Sequence, residues 1–84
     1  MKNKVLIELL VPEIDESFDI YIPINRKIGN IIELLNKSIS ELTDGSYMGS
    51  DKNFLYNVYT KERYNVDSLV IETNIRNGTR LVLI

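Results

Sequence analysis

Ile75-Arg76-Asn77-Gly78-Thr79-Arg80-Leu81-Val82-Leu83-Ile84 decides the fold, because a polar turn with its glycine leads into an almost unbroken apolar run. Five residues with no polar break beyond Arg80 are costly in water, so the stretch reads as a strand buried in a sheet. Its partner is sought at the other end of the chain. From Lys4 to Val11, Val5, Ile7 and Leu9 alternate with Leu6, Glu8 and Leu10, the period of a strand with one well-buried face. Pro12 to Ser17 is polar and acidic. Phe18, Ile20 and Ile22 then alternate with Asp19 and Tyr21 until Pro23, which lacks a donor and ends the ladder. Two alternating strands joined by a short loop make an antiparallel hairpin.

The period changes at Ile28. Ile28, Ile32, Leu35, Ile39 and Leu42 recur at three- and four-residue intervals, widened by Ile31 and Leu34, which predicts an amphipathic helix of about 14 residues. Asn25 is a candidate N-cap, and Gly29 in the first turn weakens the start by up to about 1 kcal/mol relative to alanine. Asp44-Gly45 closes the helix region. Thr43 to Asn53 has no periodicity and reads as a loop of about eleven residues, a length associated with function or mobility. Phe54 to Tyr59 alternates again, with Phe54, Tyr56 and Val58 assigned to the buried face and Leu55, Asn57 and Tyr59 to the other. Tyr64 to Val66 reads as a short further strand, and Asp67 or Ser68 as the cap of a single helical turn.

This order implies an α+β domain spanning residues 1–84, with the last strand central and parallel to the first. The helix crosses one face of a mixed four- to five-stranded sheet, which is the β-grasp arrangement. The expected core is Val5, Ile7, Leu9, Phe18, Ile20, Ile22, Ile28, Ile32, Leu35, Ile39, Val58, Ile75, Leu81 and Leu83, with Tyr56 and Tyr64 lining it.

Composition narrows the function. The 84 residues are 44% hydrophobic and 26% charged, enough for one core, and contain neither cysteine nor histidine. That removes thiol nucleophiles, disulfides, thiolate metal sites and the commonest base. The six serines therefore have no imidazole to activate them, and no glycine-rich phosphate loop follows a strand. A net charge of -2 and a pI of about 5.0 argue against nucleic acid and acidic lipid as partners. No apolar run approaches the roughly 18 to 20 residues of a membrane span, and with no export signal the expected location is cytoplasmic. Glu13, Asp15, Glu16 and Asp19 match no calcium loop and read as a solvated acidic turn able to steer a basic partner. No metal or cofactor is expected. The candidate protein-binding residues are Tyr59 with Leu55, Val82 and Ile84, forming a patch on the sheet face away from the helix with Asn57 at its middle. Tyr47 and Met48 in the long loop are read either as a lid over the core or as an adaptable contact.

The chain resembles the small YukD-type (EsaB-type) ubiquitin-like proteins of Gram-positive type VII secretion systems. The likeness lies in the Ile75–Ile84 ending, and in Phe18-Asp19-Ile20-Tyr21-Ile22-Pro23 followed by Ile28-Gly29-Asn30-Ile31-Ile32-Glu33-Leu34-Leu35. Where the family usually has an acid after the turn glycine this chain has Thr79, expected to cost one turn contact. The resemblance implies a non-enzymatic, non-conjugated protein-binding module whose partner is the cytosolic part of the secretion machinery, including its ATPase. The sequence ends Leu83-Ile84 rather than in the flexible diglycine that adenylation requires, so conjugation and sulfur transfer are not expected. The other reading is a self-associating structural protein with a β-grasp fold, and the oligomeric state expected is a monomer or weak homodimer.

Overall fold

The computed structural model describes residues 3–84. β1 (Lys4–Val11) and β2 (Glu16–Pro23) form the hairpin, in unbroken register from Lys4 opposite Pro23 to Val11 opposite Glu16. The chain reverses through a 3-10 turn over Pro12–Ile14, where proline sits at the start and Asp15 takes the left-handed conformation that closes it. Helix α1 (Ile28–Leu42) follows and buries Ile28, Ile31, Ile32, Leu35 and Ile39. β3 (Leu55–Asn57) and β4 (Arg80–Leu83) complete a four-stranded sheet in the order β2-β1-β4-β3. β4 runs parallel to β1 with Leu9 opposite Leu81, and antiparallel to β3. The β-grasp expectation is met, with four strands. Tyr64 to Val66 forms no strand: Arg63 bridges Tyr56, and the Tyr64 N–H donates to the Leu55 carbonyl.

Several local expectations are corrected. The helix N-cap is Lys27, not Asn25, and no side chain caps it. Its free N–H groups are satisfied across the fold instead, Ile28 donating to the Ser68 carbonyl and Gly29 to the Val66 carbonyl, both at 2.9 Å. A Cβ on Gly29 would stand 3.3 Å from that Val66 oxygen, so the residue that weakens the helix is the one that lets the chain approach. The later helical turn is Val70–Glu72, preceded by Leu69, whose N–H donates to the Glu72 carboxylate at 2.8 Å; Asp67 and Ser68 do not cap it. Thr79 loses no turn contact, because its hydroxyl accepts the Arg76 N–H at 2.8 Å.

The core lies between α1 and one sheet face and includes Ile7, Leu9, Ile22, Leu81 and Leu83. Val5, Phe18 and Ile20 are partly buried and pack against it, whereas Val58 stays outside the cluster. Val11, Ile31, Tyr47, Leu55 and Val70 are core residues beyond the expected set. Two tyrosines are buried with their hydroxyls bonded. Tyr47 donates to Asn36 Oδ1 at 2.6 Å. Tyr64 donates to Asn74 Oδ1 at 2.6 Å and accepts from Asn57 Nδ2 at 2.9 Å.

Burial, foremost, raises the pKa of both phenols above the usual 10.0; Glu13 adds to this for Tyr47, while for Tyr64 the Asn57 hydrogen bond opposes it. A folded pKa above the unfolded one means that this stabilisation is complete below pH 10 and is lost as pH rises through the folded value. Tyr64→Phe strands the buried Asn57 Nδ2, so at neutral pH it should cost about 1–3 kcal/mol in urea unfolding. The decline in stability above about pH 10 should be shallower in that variant than in wild type.

Candidate functional site

The sheet face opposite α1 is built by alternation. Val5, Ile7, Leu9 and Val11 turn toward the helix, which leaves Leu6, Glu8 and Leu10 on the far side, and in β4 Leu81 and Leu83 turn inward while Arg80 and Val82 face out. Cross-strand partners share a face, so two rows follow from the register. Asp19, Glu8 and Arg80 lie in one, and Ser17, Leu10, Val82 and Tyr56 in the next.

That pairing inverts part of the expected patch. Leu55 is opposite Leu83 and Asn57 opposite Leu81, so both join the core, Leu55 fully buried and Asn57 6% exposed. Tyr56, expected in the core, instead pairs with Val82 on the outer face. Asn57 is tolerated inside because each of its polar atoms has a partner. Its Oδ1 accepts the N–H groups of Tyr59 at 2.8 Å and Thr60 at 3.0 Å, while its amide donates to Tyr64. It shapes the turn that presents Tyr59 and lies on the core side of β3.

The remaining candidates divide. Val82 is partly buried on the outer face, and Ile84 and Tyr59 are exposed, Tyr59 by 73%. Phe54 and Ile84 exchange both backbone hydrogen bonds and extend the β3–β4 ladder by one pair, which puts them two residues from Tyr56 and Val82 on the same side. The Arg63 guanidinium stands 4.5 Å from the centre of the Phe54 ring. Tyr47 is a core residue. It is 1% exposed, its N–H donates to Thr43 Oγ1 at 3.2 Å, and its hydroxyl ties the long loop to α1 through Asn36. Asn36 also donates to the Ser50 carbonyl at 3.1 Å. Gly49 has φ 69, and a Cβ there would lie 2.7 Å from Asn36 Cγ, so the loop reaches the helix only through glycine. Met48 beside it is 80% exposed and separate from the sheet face.

The outer face thus holds an apolar cluster of Leu10, Val82, Tyr56, Phe54 and Ile84 bordered by one ion pair. Arg80 Nε donates to Glu8 Oε1 at 2.6 Å. Arg80 has its pKa raised first by that hydrogen bond, and the Val58 N–H donates to the Arg80 carbonyl at 3.0 Å, which brings the turn carrying Tyr59 alongside. At the hairpin end the face opens into a shallow hollow of about 330 Å³ lined by Leu10, Pro12, Asp15, Ser17 and Arg80 among others. Among the described residues no three acidic side chains converge as a metal site would need, and no helix is long and apolar enough to cross a membrane. A face of this kind suits recognition of another protein surface, with an apolar centre and a charged rim. Sequence reasoning missed Leu10, Tyr56 and Phe54, and the signal available was the parity of β3 against Leu81 and Leu83.

Comparison with solved structures places this architecture. The ubiquitin-like domain of EccD5 from Mycobacterium xenopi matches with a TM-score of 0.78 at 14% identity, covering 96% of this chain and 92% of that one. The fold is ubiquitin-like. The ubiquitin-like domain of the type VII secretion system protein ECCD1 from Mycobacterium tuberculosis matches with a TM-score of 0.73 at 12% identity, over 96% and 97% of the two chains. A chain of the MycP5-free ESX-5 inner membrane complex gives 0.79 at 15% identity; 98% of this ubiquitin-like chain is covered, against 21% of that much longer one. At these identities the likeness is one of fold. No family model and no curated protein sequence matches the chain.

The inverted parity of β3 has a measurable consequence. Leu55→Ala should cost about 2–5 kcal/mol of unfolding free energy, as a buried leucine does. Tyr56→Ala, one residue away, should cost under about 1.5 kcal/mol and leave the circular dichroism unchanged. Equal costs would mean that β3 does not sit in this register.

Proposed function

We propose that this chain is a non-enzymatic, non-conjugated ubiquitin-like module of the YukD type, acting in the cytoplasm as an accessory or regulatory component of a type VII secretion system. Its partner in this reading is the cytosolic part of the secretion machinery, including its ATPase. The observation that carries the proposal is the match, over nearly the whole chain, to ubiquitin-like domains of EccD proteins. It is joined by the resemblance of the 18–35 and 75–84 stretches to the YukD-type pattern. A binding role is supported by the outer face, where Val82, Tyr56 and Ile84 present apolar surface beside the Glu8–Arg80 pair. Tyrosine and arginine at such a border are the residue types that most often dominate binding energy. Leu83 is buried and Ile84 is bonded to Phe54, so both residues are engaged in the sheet.

In this reading docking uses Tyr56, Tyr59, Val82 and Ile84. Tyr59→Ala combined with Tyr56→Ala should weaken binding to the purified cytosolic domains of a type VII ATPase or its membrane partner by roughly 30-fold or more, the scale of losing a hot spot. Calorimetry with both proteins in hand is the measurement, and a matched thermal melt shows that the fold is kept. Wild-type binding by the double variant would remove this face from the proposal. Absence of binding by wild type to any cytosolic component of the machine would remove the secretion role.

A further inference from the structure

The turn that leads into β4 carries a chemically labile pair. Asn77 is followed by Gly78, whereas every other asparagine of the chain precedes lysine, arginine, valine, isoleucine or phenylalanine. A carboxamide beside a glycine is open to attack by the following peptide nitrogen, because no side chain shields that nitrogen. Asn77 and Gly78 are both exposed, so water reaches the pair. The Thr79 N–H closes the turn by donating to the Arg76 carbonyl at 3.1 Å, and Gly78 has φ 88, the positive value that the third position of a type II turn requires. A Cβ at Gly78 would meet nothing within 4 Å, so its φ, not crowding, calls for glycine.

In the folded chain one residue of β1 holds both reacting groups. The Leu6 N–H donates to Asn77 Oδ1 at 2.8 Å, and the Gly78 N–H donates to the Leu6 carbonyl at 2.8 Å. Attack would join the Gly78 nitrogen to Asn77 Cγ in the plane of the peptide, at the place the amide hydrogen occupies. That place faces the Leu6 oxygen. The same hydrogen bond keeps the proton on the nitrogen, while the bond to Oδ1 turns the carboxamide toward β1. Ring closure therefore requires both bonds to Leu6 to break. The Thr79 carbonyl, which accepts the Glu8 N–H at 3.0 Å, ties the next residue into the same pairing.

We infer that Asn77–Gly78 is a spontaneous modification site gated by the β1–β4 junction, inert while the junction is closed and converted to aspartate and isoaspartate when it opens. In the open chain the Gly78 nitrogen gives up its proton and bonds to Asn77 Cγ. The side-chain nitrogen leaves as ammonia and carries that proton away. The five-membered imide that remains takes up one water. Opening at Cγ leaves aspartate, and opening at the main-chain carbonyl leaves isoaspartate, with the chain running through Cγ. The two products act differently on the fold. Aspartate still offers an oxygen to the Leu6 N–H, whereas isoaspartate lengthens the main chain by a methylene ahead of Gly78. That puts the Gly78 N–H and the Thr79 carbonyl out of step with Leu6 and Glu8, so β4 does not return to its native register. An opening of the junction is thus recorded irreversibly. None of the docking residues takes part, and the inference stands apart from the secretion reading.

The test holds the full chain in mildly alkaline buffer and follows the mass gained as an amide becomes a carboxylate, with peptide mapping to locate the change and separate the two products. Conversion at Asn77 should be fastest in urea above the unfolding transition. In the folded protein it should be slower by roughly 100-fold or more, as for a strand that opens only with the core. Leu83→Ala, at a buried position away from the reacting atoms, should speed conversion of the folded chain by roughly tenfold or more. Graded urea below the wild-type midpoint should raise the rate in the same way, whether or not that variant folds. Purified isoaspartyl protein should lose hydrogen-exchange protection at the Leu6 and Gly78 amides, while Asn77→Asp keeps it. Three results would overturn the inference. Absence of conversion at Asn77 in urea would remove the site, and equal rates in folded and unfolded wild type would remove the gate. Full protection of Leu6 and Gly78 in the isoaspartyl form would remove its effect on the fold.

Discussion

The parallel pairing of β1 with β4 joins residues 72 positions apart, as between Glu8 and Arg80. Closing so long a loop costs conformational entropy before any contact repays it. Burial of Leu81 and Leu83 against Ile7, Leu9 and α1 is what offsets that cost, and β3 has no sheet to join until β4 is in place. The junction is also fixed by direction-giving hydrogen bonds. Gly78 donates to the Leu6 carbonyl at 2.8 Å, Glu8 to the Thr79 carbonyl at 3.0 Å, and Leu6 to Asn77 Oδ1 at 2.8 Å. A slip of one residue here would turn Leu81 and Leu83 outward and Arg80 inward, so the register is enforced by both faces at once.

The irregular half of the chain is held by a different device used twice. Each time a tyrosine ring fills the core and its hydroxyl stands between two asparagines. Tyr47 reaches Asn36 on α1 at 2.6 Å and Asn53 at 3.4 Å, and Tyr64 bonds Asn57 on β3 and Asn74 near the end of the second 3-10 turn. Ring burial supplies the hydrophobic gain, and the hydroxyl converts nonspecific packing into a fixed position for the loop. Among the described residues no buried side-chain nitrogen or oxygen lacks a partner, which is the condition for polar groups to be stable there. Segments 43–53 and 58–79 can therefore hold their course with one 3-10 turn, Val70–Glu72, between them, without leaving their buried polar side-chain atoms unpaired.

What was legible in the sequence follows from which forces leave a periodic trace. β1, β2, α1 and β4 each bury one face over several residues, so Val5 to Val11, the Ile28 to Ile39 stripe and Leu81 and Leu83 announce both element and orientation. β3 is three residues long and offers two phases that are almost equally apolar. Phe54, Tyr56 and Val58 look like the better core set, and Asn57 looks like surface, until the partners of its amide are known. Hydrogen bonds between residues far apart in the chain leave no periodicity at all. For that reason the capping of α1 by Val66 and Ser68, the anchoring of Tyr47 by Asn36 and the Asn57–Tyr64 pair were invisible, and Leu55 and Asn57 were assigned to the wrong face.

The same distinction explains how the fold recurs at 12–14% identity in the EccD domains. Core positions require only an apolar residue of about the right volume, which many sequences satisfy. The outer face is asked for even less. The Glu8–Arg80 pair is substantially exposed, with side chains 38% and 41% accessible. Exposed pairs of this kind contribute about 0–1 kcal/mol, so the fold would survive their exchange. Tyr59 and Ile84 are freer still, and Tyr56 is constrained mainly by Val82 beside it. Whatever selectivity this protein has for a partner must therefore reside in side chains that the β-grasp does not need. The ion pair standing between the apolar cluster and the acidic β2 edge is well placed to divide the surface into two regions of different chemistry.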